Sequence, residues 1–531
     1  MGFTVKSACY GGGLISDNFS VTGITIRSDG KWFFTKDHGV NVHEFTSFNL
    51  IDSLPIAVMT KEAKRLLKKR GKRYVKLATG HHYMQYHGAL TSISFGSWRV
   101  KANGRVMIDI ETFKKQNPSH VADWTVPNEY SVDQNQVPMF ALKTVTKDEF
   151  FMCWHSLPGF SFKTKTWGTF LVSRISDVAF DDKAFGRLVL PADKKSLISA
   201  LVEDHRRNTL TIKEQEKEQE EMLAERFDRA KKPKRQRKAE KRLKNLKKEK
   251  EEIEEIIEHH NSKKPRRKGK QFVDIIAGKG GGCIFLLHGS PGTGKTLTAE
   301  AVSEHLRVPL YIVTVSELGC TPSALEKSLQ SVLELAATWG CAILLDEADI
   351  FLEARAASDI TRNAMVGVFL RLLEYHQGVL FLTTNRIRCI DEAFSSRISV
   401  ALHYSELDAA ARTQVWKNFL LIAAGSDDST FDFDLLGSYD LNGRQIRSCV
   451  RIGQSLARNE GQELTMEQLQ TTINVCLNFR SQFLDIQRNH AREQAAMASG
   501  TETRGRSRSR SFERSTEDWG TALAAFTEAE A

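Results

Sequence analysis

Cys283-Ile284-Phe285-Leu286-Leu287-His288 runs directly into Gly289-Ser290-Pro291-Gly292-Thr293-Gly294-Lys295-Thr296. A short, almost wholly apolar run suits a strand buried on both faces of a parallel sheet. The glycine-rich turn after it matches the phosphate-loop pattern G-x-x-x-x-G-K-[ST] at every fixed position. Glycines let the backbone curl so that its N–H groups face a β-phosphate, and the helix expected over LTAEAVSEHL adds its dipole. In this pattern Lys295 neutralises charge on the β- and γ-phosphates, and Thr296 offers its hydroxyl to Mg2+. A plain glycine-rich turn before a helix needs neither Gly294-Lys295-Thr296 nor the strand in front of it. The candidate phosphate site for ATP is therefore Gly289, Ser290, Pro291, Gly292, Thr293, Gly294, Lys295, Thr296 and Leu297.

About 50 residues past Lys295, Cys341-Ala342-Ile343-Leu344-Leu345 repeats the buried-strand pattern and ends in Asp346-Glu347, as in a Walker B motif. Two adjacent carboxylates at a strand end suit two jobs. Asp346 would hold the magnesium shell, and Glu347 would orient and deprotonate the attacking water. Between the two motifs a strand is expected over Leu310 to Val315 and a helix over about Ala324 to Thr338. A third run, Val379-Leu380-Phe381-Leu382-Thr383-Thr384-Asn385, ends in an amide able to bind both a γ-phosphate and the attacking water.

These residues resemble the AAA+ ATPases. PGTGKTLTAEAVSEHL, LLDEADIFLEAR, RNAMVGVFLRLLEYHQG and LTTNRI carry the likeness, which extends from Asp274-Ile275-Ile276-Ala277-Gly278 into a helical lid and looks most like a fungal subgroup with its own N-terminal domain. The resemblance implies an α/β P-loop NTPase of the ASCE/AAA+ type, with a five-stranded parallel sheet and a helical lid. It implies that Ile275, Ile276 and Gly278 contact adenine, and that Asn385 is the sensor 1 residue. Ile390-Asp391-Glu392-Ala393-Phe394-Ser395-Ser396-Arg397-Ile398 resembles the arginine-finger segment, with Arg397 facing outward to a neighbour's γ-phosphate. Asn442-Gly443-Arg444-Gln445-Ile446-Arg447 is similar to a sensor 2 segment; Arg444 is the phosphate contact, with Arg447 one turn on as the alternative. A homo-oligomeric ring, a hexamer by family resemblance, follows. One departure stands out: Ser316-Glu317-Leu318-Gly319-Cys320-Thr321-Pro322-Ser323 has no aromatic where AAA+ unfoldases carry one to grip a threaded chain.

Outward from the motor, residues 1–205 show short apolar alternations broken by Gly, Asn and Pro, which predicts a mostly β N-terminal domain (α+β) with a helix near Lys194 to Val202. His81 and His82 are neighbours whose side chains would point apart on a strand, so they read as ordinary histidines. Residues 206–270 form a charged, partly helical linker with weak heptad spacing and the basic clusters KKPKRQRK (231–238) and KKPRRKGK (263–270). The core is expected over 271–403, the lid over 404–487, and a disordered Arg/Ser-containing tail over 488–531.

Of 531 residues, 41% are hydrophobic and 26% charged, enough for several packed domains with solvated segments between them. The net charge of +10 sits largely in the linker runs, so it leaves nucleic acid open as a partner without requiring it. The eight cysteines show no CxxC pair and read as reduced thiols. No run approaches the ~20 apolar residues of a membrane span, and the opening lacks the apolar middle of a secretory signal. The expectation is a soluble intracellular protein, in nucleus or cytoplasm, whose abrupt start leaves open that the gene product is longer. Three functions compete: ATP hydrolysis driving remodelling of a protein or nucleoprotein, a nucleotide-switched assembly scaffold with slow hydrolysis, and a nucleic-acid-dependent ATPase.

Overall fold

The computed structural model describes residues 2–12, 17–43, 55–93, 98–120, 123–124, 144–205, 207, 282–355, 359–386, 390–424 and 431–498. The adenine-contact candidates Ile275, Ile276 and Gly278 lie outside these residues, as do both basic clusters, the heptad-spaced linker and the tail beyond 498. The chain divides into two compact units, Met1–Glu406 and Leu407–Ala531.

The first unit begins with an antiparallel meander of β1 (Thr4–Gly12), β2 (Asp17–Ser28) and β3 (Phe33–His43). A helix, Lys61–Leu77, follows, started by the Thr60 hydroxyl accepting the Ala63 N–H. Next come β4 (His81–Tyr86), β5 (Ala89–Ser92), β6 (Arg99–Lys101), β7 (Gly104–Asp109), β8 (Ser156–Ser161), β9 (Thr166–Leu171) and β10 (Ile175–Ser176). These form a second antiparallel sheet in the order β10-β4-β7-β8-β9-β5-β6. Its core gathers Tyr74, Tyr86, Leu90, Ile108, Phe113, Leu157 and Phe170. His82 Nε2 bonds the Thr79 carbonyl and His81 is exposed, so the two histidines do diverge.

The motor is a parallel sheet of β11 (Cys283–Gly289), β12 (Leu310–Val313), β13 (Ala342–Leu345), β14 (Val379–Thr384) and β15 (Val400–Tyr404), in the order β12-β13-β14-β11-β15. β13 and β14 are buried at every position, which is why they read as unbroken apolar runs. The strand expected to reach Val315 stops at Val313, and Val315–Leu318 forms one helical turn. The next helix starts earlier than expected, at Pro322, because Thr321 caps it and proline suits a first turn.

The N-terminal sheet and the motor share one hydrophobic core within this unit. Met107 and Phe160 from β7 and β8 belong to the same cluster as Tyr311, Trp339 and Ile343 of the motor. Phe160 stacks on Tyr311 with ring centroids 5.6 Å apart, and Trp339 lies edge-on to Phe162 and Trp167 at 5.9 and 5.7 Å. At the heart of this junction the Trp339 indole N–H donates to Asp109 Oδ2 at 2.8 Å, both residues being buried. Arg105 pairs with Glu304 at 2.6 Å, and Lys165 pairs with Glu317. The helix over 192–205 also packs on the motor, placing Ile198 and Val202 against Phe285, Leu287 and Phe381.

The second unit is helical: Ala409–Ala424, Phe433–Ser438, Gly443–Glu460 and Met466–Ala498 pack around Trp416, Leu436, Ile446, Leu469 and Ile473. One detail departs from the sequence reading. The last helix runs past 487 to Ala498, since Arg, Glu, Gln, Ala and Met there are all good helix formers. Cys449 and Cys476, far apart in sequence, bring their sulfurs to 3.5 Å. Among the described residues no helix is long and apolar enough to cross a membrane.

Candidate nucleotide site

Parallel register brings the three motifs to one edge of the sheet. Leu345 pairs with Leu382, and His288 pairs with Thr384, so the residues just past β11, β13 and β14 emerge side by side at the strands' carboxyl ends. That edge is where open α/β sheets bind ligands.

Positive φ at Gly289, Gly292 and Gly294 (142°, 77° and 101°) curls the phosphate loop. Gly289 is also a steric requirement, since a Cβ there would lie 2.0 Å from the Tyr404 carbonyl oxygen on β15. The loop ends in the helix Lys295–Leu306, whose N-cap, Gly294, supplies no side-chain hydrogen bond to the first turn. A helix start left uncapped by a side chain, behind a curled loop, suits an anion. Lys295 is buried and donates to the Gly289 and Ser290 carbonyls, each at 2.8 Å. Leu297 is half exposed on the same helix.

Thr296 Oγ1 donates to Asp346 at 3.2 and 3.3 Å from its two carboxylate oxygens. Asp346 also accepts from the Thr383 hydroxyl. A hydroxyl and a carboxylate this close fit magnesium, which takes few protein ligands and completes its shell with water and phosphate oxygens. Among the described residues no group of three His, Cys, Asp or Glu is placed to hold a metal ion by itself.

Glu347 is exposed and adopts a left-handed backbone, φ 56°, unusual for a residue with a Cβ. Its N–H donates to Thr383 Oγ1 at 3.0 Å. Asn385 sits one residue past β14, exposed, next to Thr384, whose hydroxyl donates to Asp349. The site thus brings together the phosphate loop, Thr296, Asp346, Glu347 and Asn385 at one edge. Sequence reasoning missed Thr383; two threonines ending an otherwise apolar strand were the available signal, since a buried hydroxyl needs partners.

Arg397 is placed differently from the expectation. It precedes β15, only about a quarter exposed, donating to the Ala393 carbonyl at 2.9 Å and pairing with Glu374 at 3.2 Å. A counter-ion from its own chain therefore holds the guanidinium that was expected to point outward. The turn before it is fixed by Asp391, which accepts from Arg355 Nε and the Ala393 N–H; the Arg355 hydrogen bond keeps its carboxyl below the usual range. Arg444 and Arg447 are both exposed at the start of the helix Gly443–Glu460, behind the capping box of Asn442 and Gln445, and belong to the second unit.

Residues 285–406 match the family model described as ATPase family associated with various cellular activities (AAA). Human ATPase family AAA domain-containing protein 3B is 32% identical over 126 residues, covering 23% of this chain and 19% of that protein. A putative 26S proteasome regulatory subunit homolog from Methanothermobacter thermautotrophicus is 28% identical over 173 residues, covering 31% of this chain and 46% of its own length. Human ATPase family AAA domain-containing protein 3A is 30% identical over 126 residues, with 22% of its length covered. The chain thus spans less than half the length of each of these relatives.

Proposed function

Because the chain carries an ATPase domain of the AAA family, we propose that it binds ATP with Mg2+ and hydrolyses it to ADP and phosphate, coupling this to remodelling of a protein or nucleoprotein partner. The observation that carries the reading is the convergence of Thr296 on Asp346, beside a curled phosphate loop and Glu347. Lys295 exchanges its loop carbonyls for β- and γ-phosphate oxygens as nucleotide enters. Thr296 and Asp346 hold magnesium, which neutralises charge developing on the phosphates. Glu347 takes the proton of the attacking water and Asn385 orients that water against the γ-phosphate. Arg397 acts on the nucleotide of a neighbouring subunit in a ring, leaving Glu374 to do so. Ile275, Ile276 and Gly278 contact the adenine, and Arg444 a phosphate.

Burial of Leu318 within the turn Val315–Leu318 argues against threading by the usual grip, because the side chains left exposed nearby, Ser316, Glu317 and Cys320, are small or polar and offer little apolar hold. Shape change of a bound partner suits this motor better. The basic clusters keep nuclear entry and nucleic-acid stimulation within the proposal.

The test is a pair of variants. Lys295→Ala should abolish or greatly weaken binding of a fluorescent ATP analogue, whereas Glu347→Gln should keep binding and lose turnover. Equal loss of binding in both would sink the separate roles. Intact binding with no turnover in the unsubstituted protein would favour the nucleotide-switched scaffold.

A further inference from the structure

Thr383 is 2% exposed, near the carboxyl end of β14. A hydroxyl buried there can donate once and accept, and it is costly unless it does so. Its hydrogen goes to the Asp346 carboxylate, and its oxygen accepts the Glu347 N–H at 3.0 Å. The Thr383 carbonyl then takes the Ala348 N–H at 2.9 Å. One residue of the central strand thereby holds three successive residues of the Asp346-Glu347 turn.

Both acids gain from that grip. Asp346 is shared between two hydroxyls that approach from different elements, Thr296 from the phosphate-loop helix and Thr383 from β14. If Thr296 turned to a cation, Thr383 would still hold the carboxylate. Glu347 has a left-handed backbone that an L side chain disfavours, and such conformations persist where surrounding groups over-determine them. The Thr383 oxygen is one such group, because it meets the amide of the strained residue itself.

We propose that Thr383 is a positioning residue for ATP hydrolysis, acting through its hydroxyl to orient the Asp346 carboxylate towards magnesium and the Glu347 side chain towards water. This rests on the hydrolytic reading above. Valine keeps the shape of threonine and removes the hydroxyl, whereas serine keeps the hydroxyl, so the full-length chain can be compared with Thr383→Val and Thr383→Ser. Steady-state kcat and KM, magnesium activation curves, and analogue binding in EDTA would be measured for all three. Loss of a partner that orients a metal ligand costs about 10- to 100-fold in metal affinity or activity. Thr383→Val is therefore expected to lower kcat by about that factor and to raise the magnesium midpoint, with EDTA-phase nucleotide affinity within about 3-fold of the original. Thr383→Ser should recover most of kcat.

Unchanged kcat and magnesium midpoint in Thr383→Val would overturn the proposal. So would equal impairment of both variants, which would mark a packing role. Should the valine variant not fold, Thr383→Ala carries the same comparison. If the unsubstituted protein hydrolyses no ATP, the hydrolytic reading fails, and the magnesium-dependent gain in nucleotide affinity then decides about Thr383. Loss of that gain in Thr383→Val supports its hold on Asp346; retention refutes it.

Discussion

Trp339→Phe tests whether the N-terminal sheet and the motor are one body. The substitution keeps an aromatic ring between Phe160, Phe162 and Trp167 and deletes the indole N–H that reaches Asp109 at 2.8 Å. A buried hydrogen bond to a charged group is worth about 1.5–3 kcal/mol, and Asp109 keeps two donors on Thr112, at 2.9 and 2.6 Å. A loss of about 2 kcal/mol follows, from the middle of that range. In amide exchange this is about a 30-fold rise in opening wherever protection depends on the junction. Denaturant unfolding gives the total, and hydrogen exchange followed by mass spectrometry gives its location. Faster exchange is expected both in β7 and β8 and in the helix Pro322–Trp339. If the two parts opened independently, the indole would exchange its bond for water and the loss would stay within about 0.5 kcal/mol, as at an ordinary surface site. That small loss, or exchange altered in the motor and unaltered in β7 and β8, would refute a shared core.

Two further outcomes follow from the geometry. Gly289→Ala places a methyl 2.0 Å from the Tyr404 carbonyl and at φ 142°, so loss of analogue binding with a lowered melting temperature is expected; normal binding would mean that β15 can yield. His376 has its pKa pushed down to about 4, mainly by burial and then by His205. The neutral ring is the folded form, so its stabilisation is complete above the unfolded value of 6.5 and is lost as pH falls towards 4. Between pH 7 and pH 5 the loss is about 2 kcal/mol, and His376→Gln should flatten the unfolding-against-pH curve by about that amount; an unchanged slope would show that His376 does not cause it.

The phosphate loop, the two acids and four of the motor's strands were legible because each is a local pattern: an apolar run, a glycine turn, a polar residue at a strand's end; the order of the strands in the sheet was not. Sequence periodicity reports which faces are buried but not what they are buried against. The sharing of a core by Phe160 and Tyr311, the partnership of Trp339 with Asp109, and the burial of Leu318 needed three dimensions for that reason. Polar pairing was the other blind spot. Arg397 resembled a finger by its surroundings in sequence, yet nothing local announced Glu374, which ends the helix Ile360–Glu374. Thr383 was visible as a threonine and invisible as a link between two acids.

The docking of the helix over 192–205 on the motor sheet has a topological consequence. His205 hydrogen-bonds the backbone of Gln377, and Gly282 packs so closely on the His376 carbonyl that a Cβ there would lie 2.4 Å from it. The chain therefore departs at 205 and returns at 282 to the same corner of one folded body. Joining such neighbouring ends has an entropic cost that grows only logarithmically, about 0.6 kcal/mol for each doubling of the intervening length. A change in the length of the basic sequence up to Lys270, which stops short of the adenine-contact candidates Ile275, Ile276 and Gly278, therefore costs the sheet that carries the nucleotide site little.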